Sequence, residues 1–199
     1  MNKLIFTALL LGSALSAAAD PIASFNPGGP NGVFGAAVGE SVTTPDGGPW
    51  DNISFNYFDD ITYNPYAAGG LYVLTQAYTG ATGDLSSSTD GYLGFTNTID
   101  NGSWIFSDVT LNPDTQYFFY MDADTPQGTG VLVGSGYAGG IAWGNGGSGD
   151  YTGVSSADIQ FSLSGDVVSG APEPGTLALA FGAAGLFAVL RRKTAANVI

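Results

Sequence analysis

The chain has 199 residues, of which 17 are acidic and 4 are basic, and it contains no cysteine and no histidine. All four bases lie near the ends, at Lys3 and at Arg191, Arg192 and Lys193, which leaves residues 20–171 with 16 acids and no base. This stretch therefore has no disulfide and no side-chain salt bridge, and nucleic-acid binding is excluded because that affinity comes from Lys and Arg neutralising phosphates. One domain of this length can bury enough apolar surface to fold without such links.

The first 19 residues predict a secretory signal peptide. Lys3 precedes a mostly apolar run from Leu4 to Leu15, and a group of small residues ends at Ala19. These are the charged, apolar and small-residue parts of an export signal. We expect a signal helix that is exported by the Sec machinery and cleaved between Ala19 and Asp20.

Residues 20–168 predict one all-β domain. They show no sustained 3.6-residue periodicity, and short aromatic and β-branched runs alternate with clusters of Gly, Asn, Asp and Pro. The predicted strands lie at 33–38, 53–57, 71–75, 91–96, 103–106, 116–121, 130–134, 139–143 and 159–167. Their number and spacing favour a single Greek-key or jelly-roll β-sandwich.

Two segments of this body resemble known sandwich families. The run from Leu111 through Pro113 and Thr115 to Tyr117 resembles the L-x-P-x-T-x-Y element of fibronectin-type sandwiches. That resemblance implies a tyrosine corner, in which the Tyr117 hydroxyl bonds to upstream backbone. Residues 39–53 and the Asp-rich turns are similar to the choice-of-anchor β-sandwich ectodomains, a resemblance that implies no catalytic residues.

The body lacks the side chains on which most enzymes depend. Without His, Cys, Lys or Arg it has no triad base, thiol nucleophile, Schiff-base lysine or phosphate clamp, and it lacks the usual ligands of zinc and copper. No Asp-Thr-Gly or Asp-Ser-Gly motif indicates an aspartic dyad. A carboxylate-based glycan hydrolase is the remaining enzyme alternative, and it would need one acid whose pKa is raised by an apolar setting. We expect a protein that is not an enzyme.

Calcium is the one ion that this composition could bind, because Ca²⁺ takes oxygen ligands from acids, amides and carbonyls. Asp122 and Asp124 begin like an EF-hand loop, which Pro126 then interrupts. The candidate ligands are acids in predicted turns: Asp59, Asp60, Asp122, Asp124 and Asp150. The alternative is that these acids are solvated turn residues, and no other cofactor is expected.

A glycine-rich loop gives a second candidate site. Trp143, Asn145 and Tyr151 combine aromatic and hydrogen-bonding side chains within a few residues. Glycan binding needs exposed aromatic faces together with polar groups, so these residues are candidate glycan contacts. The alternative is that the two aromatic rings pack in the core or at its rim.

The last 28 residues differ from the body in composition. Pro172, Glu173 and Pro174 are followed by an apolar run of 14 residues, Leu177–Leu190, and then by the basic cluster Arg191, Arg192 and Lys193. As a helix this run covers about 21 Å, less than the roughly 30 Å hydrocarbon core of a bilayer. It indicates a short anchor whose basic end stays on the cytoplasmic side.

This order of parts resembles the PEP-CTERM sorting signal of Gram-negative bacteria that produce exopolysaccharide, which is also catalogued as the ice-binding protein C-terminal domain. The resemblance covers residues 172–193. It implies that an exosortase cuts near the Pro-Glu-Pro motif and passes the protein outward. An ordinary C-terminal anchor helix is the alternative and gives the same topology. Ice binding itself is not expected, because the threonines of the body form no regular array.

The sequence therefore predicts a signal peptide at 1–19, a β-sandwich ectodomain at 20–168, a tether with the Pro-Glu-Pro motif at 169–174, a hydrophobic sorting helix at 175–193 and a cytoplasmic tail at 194–199. We expect an exported protein that is first anchored in the inner membrane and then reaches the cell surface or the extracellular matrix. Its sandwich would be structural or adhesive. The alternative is a carbohydrate-binding module, with or without calcium, whose partner would be exopolysaccharide.

Overall fold

The computed structural model describes residues 19–27, 31–32, 37–58, 69–122, 131–145 and 149–168. These residues form strands and a single 3-10 turn, Thr82–Asp84, so the predicted all-β class is confirmed. No helix within these ranges is long and apolar enough to cross a bilayer. The predicted signal helix and the C-terminal hydrophobic helix lie outside the described residues.

The strands are short and are numbered in chain order. They are β1 (Asp20–Phe25), β2 (Asn31–Gly32), β3 (Val38–Thr43), β4 (Trp50–Tyr57), β5 (Leu71–Leu74), β6 (Tyr92–Thr96), β7 (Ile99–Asp100), β8 (Ser103–Phe106), β9 (Gln116–Met121), β10 (Val131–Gly134), β11 (Ala142–Gly144), β12 (Thr152–Val154), β13 (Asp158–Ile159) and β14 (Phe161–Val167).

Three antiparallel sheets are built from these strands. A five-stranded sheet has the order β1-β14-β4-β8-β7, a six-stranded sheet has the order β12-β11-β3-β9-β5-β6, and a small sheet has the order β13-β10-β2. The two larger sheets pack face to face, because Phe55 of β4 stacks on Phe119 of β9 with ring centroids 4.2 Å apart. The body is therefore sandwich-like.

Alternating burial explains the strands of the five-stranded sheet. In β4, Ile53, Phe55 and Tyr57 are buried, whereas the residues between them are only half-buried. Phe161 and Leu163 of β14 repeat this pattern beside them. Period-two alternation is typical of a strand with one face in a core, and here it predicted both strands.

The six-stranded sheet has two buried faces. Cross-strand neighbours share a face, so the pairing of Glu40 with Phe119 and of Ser41 with Phe118 separates the two sets of side chains. The inner face, toward the five-stranded sheet, carries Glu40, Val42 and Phe119. The outer face carries Ser41, Phe118, Tyr120 and Trp143.

Some strands were not expected from the sequence. One of them is β3, Val38–Thr43, which shares only Val38 with the strand predicted at 33–38. Residues 33–36 of that prediction lie outside the described part. β1 and β12 were also missed. The β7–β8 hairpin was missed although Asn101-Gly102 signals it: both residues have positive φ, 49° and 80°, as a two-residue hairpin turn requires.

The tyrosine corner is confirmed. Tyr117 is buried, and its hydroxyl accepts a hydrogen bond from the Asn112 amide at 2.8 Å. The same turn is held from β3, because the Thr44 hydroxyl donates to the Asn112 carbonyl at 2.7 Å and accepts from the Thr115 amide at 3.1 Å. These bonds fix where β9 begins and hold its first residues to the end of the neighbouring strand β3.

The described chain enters and leaves the five-stranded sheet at the same end. Asp20, the first residue of β1, lies opposite Gly165 of β14, which continues to Val167. The Asn101–Gly102 turn lies at the other end, where the Asn56 side-chain amide donates to the Gly102 carbonyl at 3.0 Å. The two boundaries of the body are therefore neighbours.

Candidate functional site

Glu40 is the only glutamate in residues 20–171, and it has no exposed surface. It lies in the middle of β3 on the inner face, between Phe119 of β9 and Ala142 of β11. Its Oε2 accepts a hydrogen bond from the Ile159 amide at 2.7 Å. Its Oε1 is buried and has no hydrogen-bond partner among the residues that the structure describes. A carboxyl group is thus enclosed in the sandwich with one oxygen satisfied.

Burial raises the pKa of Glu40 from 4.5 to about 9, and the nearby charge of Asp158 raises it further, against the lowering effect of the Ile159 and Ser41 backbone hydrogen bonds. A buried carboxyl without a cationic partner favours its neutral form. Glu40 is therefore protonated at neutral pH. Its O–H then makes it a hydrogen-bond donor as well as an acceptor.

Other polar side chains line the same interior. The Tyr57 hydroxyl donates to the Phe119 carbonyl at 2.8 Å, and burial raises its pKa well above the ordinary tyrosine value. Gln160 is fully buried, and its Nε2 donates to the Val133 carbonyl at 3.1 Å while its Oε1 has no partner within the described chain. Burial raises the pKa of Tyr137 to about 12. Two buried side-chain oxygens in this region, Glu40 Oε1 and Gln160 Oε1, thus have no partner among the described residues.

Sequence reasoning missed this cluster. The signal was present, because Glu40 occupies an alternate position between Val38 and Val42, where a buried strand places apolar residues. Asp158 was also overlooked: it is 5 % exposed, and its carboxylate accepts from the Tyr137 amide at 3.0 Å. A single carboxylate within a polar run is usually solvated, so this signal is weak. The burial of Glu40 and Asp158 is evident only from the folded structure, where each accepts a backbone amide from a distant residue.

Glu40 and Asp158 are two acids in different environments, which suggests acid–base chemistry. Such chemistry also requires that a substrate can reach them. A glycosidase acid must reach the glycosidic oxygen of its substrate. Glu40 is 0 % and Asp158 is 5 % exposed, and neither lines any of three grooves on the described surface, which are bordered by residues within 92–109, within 76–90 and within 41–143. In this fold Glu40 cannot touch a polysaccharide.

The outer face of the six-stranded sheet carries an aromatic cluster. The Trp143 ring lies edge-on to Phe118 and Tyr120, with centroid distances of 6.0 and 5.8 Å. The Tyr151 ring lies 4.6 Å from that of Tyr120, and Tyr78 adds a further edge contact to both tyrosines. The loop 75–91 and residues 149–151 cover this face, joined by a bridge between Ala81 and Asp150.

Hydrogen bonds to backbone hold the cluster. The Tyr151 hydroxyl donates to the Met121 carbonyl at 2.5 Å, and the Tyr120 hydroxyl accepts from the Tyr78 amide at 3.0 Å. Burial raises the pKa of Tyr151 far above the ordinary tyrosine range, so the hydroxyl stays protonated. These tyrosines serve the fold of the outer face.

The predicted glycan contacts are therefore packed. Trp143 is 8 %, Tyr151 1 % and Asn145 7 % exposed, so neither ring presents the open face that the glycan hypothesis assumed. Trp143 and Tyr151 pack against other aromatic rings, as the alternative interpretation described. Trp143 still borders a groove of about 400 Å³ on the outer face, which Thr43, Gln116 and the turn 138–141 also line.

The candidate calcium ligands are divided between described and undescribed segments. Asp122 follows β9, where its amide donates to the Gly70 carbonyl at 2.8 Å, and Asp150 lies in the bridge with Ala81. Asp59, Asp60 and Asp124 lie outside the described residues. Within the described ranges no three acids lie close enough together to hold a metal ion.

The export and sorting signals lie mostly beyond the described chain. Ala19 and Asp20, at the predicted cleavage position, are both exposed at the start of β1. The sorting residues fall outside the described part: Pro172, Glu173, Pro174, Arg191, Arg192 and Lys193.

Comparison with known proteins gives no family assignment, since the chain matches no family model, no curated protein and no solved structure.

Proposed function

We propose that this chain is an exported surface or extracellular-matrix protein, sorted by an exosortase, with a non-catalytic sandwich in a structural or adhesive role. The observation that supports it most is the position of Glu40. Glu40, whose pKa is raised by burial, is enclosed between the sheets and lines none of the three grooves described above. A Greek-key or jelly-roll connection of the strands belongs to the same proposal.

The place where the fold begins supports export. β1 starts at Asp20, directly after the predicted cleavage position, so removal of residues 1–19 would leave every described strand intact. The intact mass of the secreted protein tests both signals at once. We expect a product that starts at Asp20 and ends near Pro172–Pro174. A product that retains Leu177–Lys193 would contradict exosortase processing and leave a plain anchor helix.

The structural role is tested by catalysis and by matrix composition. The purified protein should release no sugar from envelope polysaccharides, whereas steady sugar release that Glu40→Gln abolishes would favour the hydrolase alternative. Deletion of the gene that encodes this protein should weaken the cohesion of the extracellular polymer without changing the sugar composition of that polymer. Unchanged cohesion would argue against a structural or adhesive role.

A carbohydrate-binding module is the second candidate, and the groove beside Trp143 favours it. The Thr43 hydroxyl and the Gln116 amide flank an aromatic floor there, and both side chains are exposed. Gln116→Ala should weaken retention on an immobilised exopolysaccharide if the groove binds glycan. Gln76→Ala, an exposed glutamine on another groove, is the matched control. Equal retention of both variants and the parent would exclude the groove, and repeating the assay with and without Ca²⁺ tests assistance by calcium.

A further inference from the structure

The edge strand β6 has only one neighbour in the described chain. It pairs with β5 along one side, from Thr96 opposite Leu71 to Tyr92 opposite Leu74, and it ends the six-stranded sheet. A free edge presents unpaired backbone N–H and C=O groups to any extended chain that reaches it. We propose that β6 is a docking edge for an extended, basic segment of a partner protein, which adds a strand to the sheet.

The other edges of the large sheets are protected. β7 and β12 have two and three residues, and β1 contains Pro21 and a register shift between Pro21 and Ala23. Short length, proline and bulges all discourage strand addition. β6 has five residues and contains neither proline nor a charged side chain. Like β1, β6 has one register shift, at Leu93, but Gly94–Thr96 keep a regular register and contain no proline.

A groove follows this edge. It has a volume of about 400 Å³, and one side is β6 while the other is the segment 105–109. Its floor is tight, because a Cβ placed on Gly94 would lie 2.4 Å from Val109. The exposed apolar side chains Phe95 and Ile99 lie beside it, at 39 % and 37 % exposure. The regular stretch Gly94–Thr96 would pair with about 10 Å of an added strand.

Charge selects the kind of partner. Asp108 lines the groove and Asp100 lies on the adjoining β7, and both are exposed. Residues 20–171 contain no base that could neutralise them. A second copy of the body would bring acids against acids, whereas a strand that alternates apolar and basic side chains would place its apolar residues on the groove and its cations near these carboxylates.

The test uses the full chain and a synthetic peptide of alternating Val and Lys as the probe. The peptide should bind, and hydrogen exchange of residues 92–98 should slow when it is present. Phe95→Lys places a positive charge at the edge, which repels the lysines of the peptide, and it should weaken the peptide's affinity by about tenfold. Val167→Lys is the matched control, because it makes the same charge change at an apolar residue with 43 % exposure at the end of β14, and it should leave the affinity unchanged.

A peptide in which Pro replaces each Val keeps the charge but cannot form a β-ladder, and it should not slow exchange in β6. Equal weakening by Phe95→Lys and Val167→Lys would show general charge attraction and overturn the proposal. Absence of binding by the Val-Lys peptide would overturn it as well. Self-association of the chain that Phe95→Lys abolishes would make a second copy the occupant in place of a basic partner.

Discussion

The two faces of the six-stranded sheet differ in whether the polar groups that they bury can ionise in the ordinary pH range. On the outer face, the tyrosine hydroxyls of Tyr120 and Tyr151 bond to backbone at 3.0 and 2.5 Å, so these groups hold their partners whatever the pH. On the inner face, Glu40 shares the core with aromatic rings and leaves one oxygen unpaired in the described chain. A buried hydroxyl that stays neutral keeps its hydrogen bond over the ordinary pH range, whereas a buried titratable acid makes the stability of the fold depend on pH.

The largest expected effect concerns the inner face. Glu40 has a pKa of about 9 in the folded protein against an ordinary value of 4.5, so the folded state keeps a proton that the unfolded state loses above pH 4.5. Stability from this group is therefore complete below pH 4.5 and falls as pH rises toward 9. Between pH 4.5 and 7.5 the fall is about 4 kcal/mol. Urea denaturation at the two pH values measures it.

Glu40→Gln keeps the shape and the acceptor for the Ile159 amide but cannot ionise. Its free energy of unfolding should lose most of the pH dependence and exceed that of the parent at pH 7.5. Asp108→Asn, which removes an exposed charge, is the control and should keep the parent's pH dependence. If Glu40→Gln and the parent fall in parallel between pH 4.5 and 7.5, Glu40 is ionised in the fold and the contrast between the faces disappears.

A smaller effect is expected on the outer face. Tyr151→Phe removes the donor to the Met121 carbonyl in a buried setting, so we expect a loss of about 1–2 kcal/mol in the free energy of unfolding. The loss should be the same at pH 4.5 and at pH 7.5, because no charge is involved. Denaturant titration of both proteins at both pH values provides the check. A loss that changed with pH would mean that the outer face also couples to titration.

The tyrosine corner shows that a polar group on the inner face can be well satisfied. Tyr117→Phe leaves the Asn112 amide without its acceptor and should lower the free energy of unfolding by about 1 kcal/mol, with no pH dependence. Thermal melts of the variant and the parent give this difference. A neutral result would mean that water replaces the hydroxyl as acceptor for this amide.

Calcium should have the smallest effect. The described residues bring no three acids together, so a difference in melting temperature between excess Ca²⁺ and EDTA would have to involve acids outside them. A site occupied at a hundredfold excess over its Kd would raise stability by about 2.7 kcal/mol. A rise of that size would assign the ion to a site that includes Asp59, Asp60 or Asp124.

Strands with one buried face were easier to predict from the sequence than strands with two. β4 and β14 alternate because one face is in the core, and their period-two pattern was recognised. β9 is buried on both faces, since the loop 75–91 covers the outer one, and its apolar run does not show which face is which. β3 mixes Gly, Glu, Ser and Thr, so only the alternating Val38 and Val42 mark its buried face, which is a weak signal for a strand.

The candidate site was hidden by similar causes. Trp143 stands next to a glycine-rich segment that suggests an exposed loop, but β11 lies between β3 and β12 and brings the ring onto the sheet. The burial of Glu40 depends on the distant Ile159, 119 residues along the chain, and no local pattern reveals such a partner. The tyrosine corner was predictable because all of its parts lie within seven residues, Leu111 to Tyr117.

The neighbouring ends of the body also decide how it responds to mechanical force. A pull between Asp20 and Val167 would open the β1–β14 ladder one hydrogen bond after another, starting from the Asp20–Gly165 pair. A load on Val167 alone, along the axis of β14, acts on both of its ladders at once, because this strand lies between β1 and β4. Held only by its C-terminal end, the sandwich would resist extension by shear, and removal of the segment before Asp20 would eliminate the weaker direction of pull.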